Sequence, residues 1–274
     1  MERASKIKLV ALDMDGTVLN SQKQVGPRTR QVLKRLSDKG VYIVVATGRP
    51  PQGIFNYVKD LSLVSDRGYV VCFNGAGIVS LPHVNFVYNE YLNGTTLMEL
   101  ARITHEHGCK IHAFSVQQGL ILEDENSPSY REVQHCKVGY KKSNLEHVDP
   151  NEHFFKALAV GQSHELDVLR ASLDAMQSDK YTIMRSDPNF LEFIPGTCTK
   201  GSALTHLCEI LNISMDNVLA FGDAENDADM LKKAGIGVAM GNADDTVKVL
   251  ADYVTLDNDN EGIAVFLEKL FELS

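Results

Sequence analysis

Ile7-Lys8-Leu9-Val10-Ala11-Leu12-Asp13-Met14-Asp15-Gly16-Thr17 is a short apolar run that stops in a turn of two aspartates, a glycine and a threonine. A short apolar run bounded by a turn reads as a strand buried on both faces, the kind that parallel sheets are made of. The pattern recurs at Tyr42 to Ala46, Tyr69 to Phe73, Val218 to Phe221, Ile236 to Ala239 and Tyr253 to Leu256. Helical patterns lie between these runs. Pro27 suits a first helical turn, Val32, Leu33 and Leu36 form an apolar stripe, and Gly40 closes the segment. Leu204, Leu207, Cys208 and Leu211 make a similar face between Ser202 and Leu211. Strand and helix in alternation predict an α/β fold with a doubly wound parallel sheet.

The alternation breaks between Val84 and Glu192. Hairpin-like pairs appear there, Lys110 to Val116 with Leu120 to Leu122 and Tyr181 to Met184 with Phe190 to Phe193, together with a strand at Phe155 to Val160. Helical patterns run from Thr95 to His107 and from His164 to Met176. The chain therefore reads as a core domain, residues 1–83 and 192–274, with an α+β domain, residues 84–191, inserted through linkers near His83 and Glu192. A length of 274 residues fits one large or two modest domains.

Composition narrows the function classes. The formal charge is −9, which disfavours a nucleic-acid partner, because backbone binding needs clustered Lys and Arg. No apolar run approaches the ~18 residues a membrane span needs, and the apolar stretch near the N-terminus is too short for a signal peptide. The expectation is a cytoplasmic protein, a monomer or small homo-oligomer, with neither nucleic-acid nor membrane partners. Five scattered cysteines, Cys72, Cys109, Cys136, Cys198 and Cys208, contain no C-x-x-C pair and read as reduced, buried small residues.

Polar residues collect at the carboxyl ends of the strand runs: Asp13 after the first, Thr47 after the second, Asn74 after the third and Asp223 after the fourth. In an open parallel sheet these ends share one edge, where such folds bind ligands. Asp13 and Asp15, two apart on an extended chain, would point the same way at a spacing of roughly 6 to 7 Å. The turn Gly222-Asp223-Ala224-Glu225-Asn226-Asp227 adds Asp223 and Asp227. Carboxylates so crowded require a cation or a proton, and an all-oxygen set favours a hard ion such as Mg²⁺. Thr47-Gly48-Arg49 offers a hydroxyl and turn amides, and Lys200 a point charge, which together suit a dianionic phosphate. The residues alone thus point to a phosphoryl-transfer site.

Four motifs in order, Asp13-Met14-Asp15-Gly16-Thr17, Thr47-Gly48-Arg49, Lys200-Gly201 and Gly222-Asp223-Ala224-Glu225-Asn226-Asp227, make the sequence resemble the haloacid dehalogenase superfamily phosphatases over essentially its whole length. Within them it resembles the Cof-type, class IIB group, which has a Rossmann-like core and a large inserted α+β cap. The resemblance implies that Asp13 is a nucleophile forming an aspartyl-phosphate and that Asp15 acts as general acid and then base. It implies Mg²⁺ held by Asp13, the Asp15 backbone carbonyl and Asp223, and a phosphoryl group bound by Thr47, Gly48, Lys200 and Asn226. Asp227 would orient Lys200 or a metal-bound water, and Asn74 and Gly75 would form a turn on the substrate side. The implied substrate is a small phosphorylated metabolite such as a sugar phosphate. For its acid role Asp15 is expected to keep its proton beside the other carboxylates. A sugar phosphomutase with the same core and cap is the alternative enzyme, and a non-catalytic metabolite-phosphate-binding protein the alternative of another class. Thr197 and Cys198 depart from the glycine and small aliphatic residue usual before the motif lysine.

Other readings are weaker. The Asp13 turn has Gly16 at position four and Gln24 at twelve, so it is not an EF-hand loop, and the Asp223 loop has Ala228 and Ala234 where glycine and glutamate belong. Gly75-Ala76-Gly77 lacks the rest of a dinucleotide fingerprint, and Lys200-Gly201-Ser202 inverts the order of a phosphate loop. His105 and His107 read as solvated surface, Glu123, Asp124 and Glu125 as a solvated turn, and His112, His135, Phe114, Met184 and Arg185 as packing residues or substrate contacts of the inserted domain.

Overall fold

The computed structural model describes residues 4–273 apart from 62, 64, 66, 126, 137 and 197. Its chain divides into two compact units, 1–88 with 199–274, and 89–198. The divisions lie later than the sequence suggests at both linkers. Asn85–Asn89 extends the first unit's sheet, and Phe190–Pro195, which carries Glu192, pairs within the second unit's sheet.

In chain order the strands before the insertion are β1 (Leu9–Leu12), β2 (Tyr42–Ala46), β3 (Tyr69–Cys72), β4 (Gly77–Ser80) and β5 (Asn85–Asn89), with helices α1 (Pro27–Asp38) and α2 (Phe55–Asp60). The second unit holds β6 (Leu92–Asn93), α3 (Gly94–Glu106), β7 (Lys110–Ser115), β8 (Gly119–Leu122), α4 (Ser127–Cys136), β9 (Tyr140–Lys142), β10 (His153–Val160), α5 (Ser163–Ala175), β11 (Tyr181–Asp187) and β12 (Phe190–Pro195). The chain then returns through α6 (Lys200–Leu211), β13 (Val218–Gly222), α7 (Ala228–Lys233), β14 (Ile236–Ala239), α8 (Asp245–Lys248), β15 (Tyr253–Val254) and α9 (Gly262–Phe271).

The first unit's sheet runs β15-β14-β13-β1-β2-β3-β4-β5. From β15 to β3 the pairs are parallel, as the buried apolar runs require. β4 is antiparallel to β3, so the Asn74-Gly75 turn is followed by a returning strand that the sequence pattern does not predict. Strand order reverses at β1, because the chain moves outward through β2 and β3 and comes back on β1's other side as β13. Such a switch point splays the connections apart and leaves a crevice at the carboxyl ends of β1 and β13. One face of the sheet, with Leu9, Ala11, Val44, Ala46, Val218 and Ala220, packs on Leu204, Leu207, Met230 and Leu231 of α6 and α7. On the other strand-alternation set, Phe221 meets Phe266 of α9 edge-on at 5.6 Å.

The second unit is a sheet in the order β11-β12-β10-β7-β8-β9, with β6 paired to β10. Its pairs are antiparallel except β8 with β9. Ile111, Ala113, Ile121, Ala157, Ala159, Leu191 and Phe193 form one face, covered by Leu97, Leu100 and Ala101 of α3 and Leu166, Leu169 and Leu173 of α5. The period-two alternation sends His112, Phe114, Lys156 and Glu192 to the opposite face. All five cysteines are free and buried. No helix among the described residues is long and apolar enough to cross a membrane.

Candidate active site

The first unit gathers the acidic turns at its switch point. Lys200 opens α6, whose end is capped by Thr199: its hydroxyl accepts from the Ser202 amide at 2.9 Å, and its own amide donates to the Ser202 hydroxyl at 2.9 Å. That start delivers the Lys200 ammonium, 0% exposed, to the end of β1. Nζ donates to Asp13 Oδ1 at 2.5 Å and to Asp227 Oδ1 at 2.7 Å. Asp227 Oδ2 in turn accepts from the amides of Asp223 at 3.0 Å and Ala224 at 3.1 Å, which shapes the turn after β13. Asp223 Oδ1 accepts from the Thr17 hydroxyl at 2.7 Å, so the turns after β1 and β13 are stitched together.

Glycine is needed where those turns meet. Gly16 has φ +90°, and a Cβ there would lie 2.3 Å from Asp223 Oδ2. Behind them, Phe73 (φ 52°), Asn74 (φ 55°) and Gly75 (φ 108°) form a run of left-handed conformations. The Phe73 and Asn74 amides bond to the carbonyls of Arg49 at 3.1 Å and Thr47 at 3.0 Å, folding this turn onto Thr47-Gly48-Arg49. Gly48 packs against the Asn74 side chain, which accepts from Asn226 Nδ2 at 3.0 Å. Thr47 is buried, and its hydroxyl accepts from the Arg49 amide at 3.2 Å.

The charges are tightly crowded. Burial, and then the Asp227 charge, hold the Asp13 carboxyl well above the ordinary carboxylate range, with Lys200 opposing. Burial pushes Asp223 up to about 6; the Thr17 hydrogen bond opposes this and the Asp227 charge adds to it. Burial works against the Lys200 charge, yet Asp13 and Asp227 outweigh it and hold the ammonium above its usual range. Oxygens of Asp13, Asp223 and Asp227 lie within 4.8 Å of one another. Such an all-oxygen donor set, carrying excess negative charge, fits a hard divalent cation.

Asp15 departs from expectation. Residues 13–19 are turned rather than extended, since the amides of Val18 and Leu19 bond back to the carbonyls of Asp13 and Met14. The Asp15 carboxylate accordingly meets cations instead of the other carboxylates: Arg49 Nε at 2.8 Å, Arg49 Nη2 at 2.6 Å and Lys23 Nζ at 2.8 Å. Arg49 and Lys23 thus stand around the Asp15 carboxyl where neighbouring acids were expected. Sequence reasoning saw Arg49 only as part of a turn, and it missed Thr17 and Lys23. Thr17 could have been noticed as the end of the Asp13 motif; Lys23 carries no sequence signal.

In the second unit His105 is no solvated residue: Nε2 meets Glu123 at 2.6 Å and Nδ1 meets Glu146. Glu123, 12% exposed in its side chain, also accepts from the Leu145 amide at 3.2 Å, which removes it from the solvated turn. His112, Phe114 and Met184 are buried, and Arg185 pairs with Asp167. The side chain of His135, like Thr197, lies outside the described residues.

A doubly wound core with an α+β insertion and a lysine-braced acidic cluster at its switch point defines a class of α/β hydrolases, and comparison with known proteins specifies it. A family model described as haloacid dehalogenase-like hydrolase matches residues 10–267. The 5-amino-6-(5-phospho-D-ribitylamino)uracil phosphatase YcsE of Bacillus subtilis is 30% identical over 259 residues, covering 94% of this chain and 93% of its own. A haloacid dehalogenase-like hydrolase from Bacteroides thetaiotaomicron superposes with a TM-score of 0.84 at 31% identity, covering 97% of this chain and 100% of that one. The subclass IIB sugar phosphatase BT4131 shares the fold, with a TM-score of 0.83 at 24% identity over 97% of this chain and 100% of its own. The chain belongs to the haloacid dehalogenase-like hydrolases and is a phosphatase of that family.

Proposed function

We propose that the protein is a Mg²⁺-dependent phosphatase of small phosphorylated metabolites, sugar phosphates foremost, working through an aspartyl-phosphate on Asp13. The observation that carries this reading is the Asp13 carboxylate, fixed by Lys200 at 2.5 Å beside Asp223 at the switch point. Asp13, the Asp15 backbone carbonyl and Asp223 would hold Mg²⁺, which when bound neutralises charge on the phosphoryl group. Asp227, engaged by Lys200 and two amides, orients them. Thr47, Gly48, Lys200 and Asn226 bind the phosphoryl oxygens, and Asn74 and Gly75 shape the turn beside them.

In the first step an Asp13 oxygen attacks phosphorus, the bond from phosphorus to the ester oxygen breaks, and that oxygen leaves as an alcohol with a proton from Asp15. In the second step Asp15 takes a proton from water, whose oxygen attacks phosphorus. The bond to Asp13 breaks, inorganic phosphate departs and the Asp13 carboxylate is restored. Because phosphate monoesters are among the most slowly hydrolysed of biological bonds, alignment and charge stabilisation carry most of the acceleration.

The test is phosphate release from a panel of phosphorylated sugars, nucleotides and a phosphoribitylamino-pyrimidine, with and without Mg²⁺, by the wild type and Asp13→Asn. Mg²⁺-dependent release that the substitution abolishes is the expected result. Undiminished release by Asp13→Asn refutes the nucleophile. Isomerised sugar phosphate without free phosphate would instead identify a mutase, and tight binding without turnover a metabolite-binding protein.

A further inference from the structure

We propose that Asn74 is a positioning residue for Asn226: its side-chain oxygen holds one N–H of the Asn226 carboxamide, so that the nitrogen end of that group, with its second N–H, serves the phosphoryl oxygens. This deepens the reading above and rests on Asn226 binding the phosphoryl group. Asn226 is half-buried on the short helical turn Glu225–Asp227 that follows β13. The last torsion of an asparagine side chain has no sharp minima, so a carboxamide on such a turn can present either end to the crevice. Only the nitrogen end donates to an anion; the oxygen end repels it. Asn226 Nδ2 donates to Asn74 Oδ1 at 3.0 Å. Reversing the Asn226 carboxamide would set two acceptor oxygens against each other, whereas the arrangement observed leaves Nδ2 a second N–H to give.

Asn74 is built to stay still. It is 0% exposed, and its backbone amide donates to the Thr47 carbonyl at 3.0 Å. Gly48 lies flush against its side chain, since a Cβ there would stand 2.9 Å from Asn74 Nδ2. Gly75 packs as closely on the start of α6, where a Cβ would stand 2.2 Å from the Thr199 carbonyl oxygen, next to Lys200. One turn therefore touches the Thr47-Gly48 segment, the approach to Lys200 and the Asn226 side chain, the three places from which the phosphoryl ligands come. Its backbone is strained, with Phe73 at φ 52° and Asn74 at φ 55°. Asparagine tolerates that region better than most residues, and phenylalanine does not. Such strain persists where surrounding contacts over-determine it, and it gathers at functional sites. A buried asparagine that merely supported the fold would not have to meet the side chain of a ligand-binding residue.

The experiment is a double-mutant cycle on the Kd for orthovanadate, a mimic of the phosphoryl group, measured by calorimetry in Mg²⁺. Asn226→Ala is introduced into the wild type, into Asn74→Gly, which removes the acceptor and suits the left-handed backbone, and into Asn74→Asp, which keeps an acceptor oxygen in the same shape. Asn226→Ala should weaken binding about 10-fold in the wild type and about as much in Asn74→Asp, but under about 2-fold in Asn74→Gly, where the carboxamide is no longer held. The charge of Asn74→Asp weakens binding by itself and cancels within the comparison. A loss in Asn74→Gly as large as in the wild type would overturn the proposal, because Asn74 would then support only the fold. So would disappearance of the Asn226→Ala effect in Asn74→Asp, where the acceptor is kept. If Asn74→Gly does not fold, Asn74→Ala takes its place in the cycle. If Asn226→Ala leaves vanadate affinity unchanged in the wild type, the phosphoryl-binding role of Asn226 fails and the proposal with it; Mg²⁺-dependent release abolished by Asp13→Asn would still leave the phosphatase reading standing.

Discussion

Replacing Lys200 by methionine removes the one ammonium at the centre of the acidic cluster while keeping most of the side chain's volume. Asp13 and Asp227, both buried, lose the donor they share at 2.5 and 2.7 Å. The cheapest relief is for one carboxyl to take up a proton. Orphaning one member of a buried ion pair costs ~3–5 kcal/mol, and because that proton is easier to supply at lower pH, the cost is smaller at pH 5 than at pH 7. The sign follows from linkage: removing the cation raises a folded-state carboxyl pKa, so stability is retained below the unfolded value and lost as pH rises, and the penalty grows from pH 5 to pH 7. For a unit of this size ~4 kcal/mol lowers Tm by roughly 8–16 °C. Urea unfolding followed by circular dichroism in EDTA, at both pH values, measures it. A penalty under about 1 kcal/mol at pH 7, or one that does not shrink toward pH 5, would refute the view that Lys200 is the charge-balancing hub.

Gly16→Ala should abolish most activity and destabilise the protein by about 1–3 kcal/mol, since φ is +90° and the new Cβ would strike Asp223; a thermal-shift and phosphate-release measurement checks both. His105 should titrate above its ordinary 6.5, because burial, which lowers its pKa, is outweighed by Glu146 and Glu123. Its stabilising contribution is therefore complete below pH 6.5 and fades as pH rises through the higher folded value; an NMR titration should show the pKa fall in Glu146→Gln. Lys156→Met should destabilise the protein by removing the buried ammonium that meets Glu192 at 3.2 Å, and Lys156→Met with Glu192→Leu should be more stable than the single variant, as urea midpoints would show.

Much of the core was legible in the sequence because parallel strands buried on both faces leave an unmistakable local mark. Tyr42–Ala46 and Ile236–Ala239 appear as strands at the very residues the apolar runs indicate, and polar residues follow at the ends of β1, β2, β3 and β13. Each motif depends on a few adjacent residues and a turn, so Asp13, Thr47, Asn74, Lys200 and Asp223 could be chosen without coordinates. The hairpin of β4 was not legible, since Gly75-Ala76-Gly77 hides a strand that begins one residue after three left-handed ones. What only the tertiary structure decided is which charges face one another. The turn at Asp13 swings the Asp15 carboxylate onto Arg49 and Lys23, and the folding of the Asn74 turn seats it beside Asn226, far away in sequence. His105 between Glu123 and Glu146 is the same lesson in the second unit. A sequence reports residue type and local period, which determine strands, helices and the edge where chemistry collects; the partner of a charged side chain is set by chain reversal and strand order, which bring together residues whose spacing in sequence carries no trace of their contact.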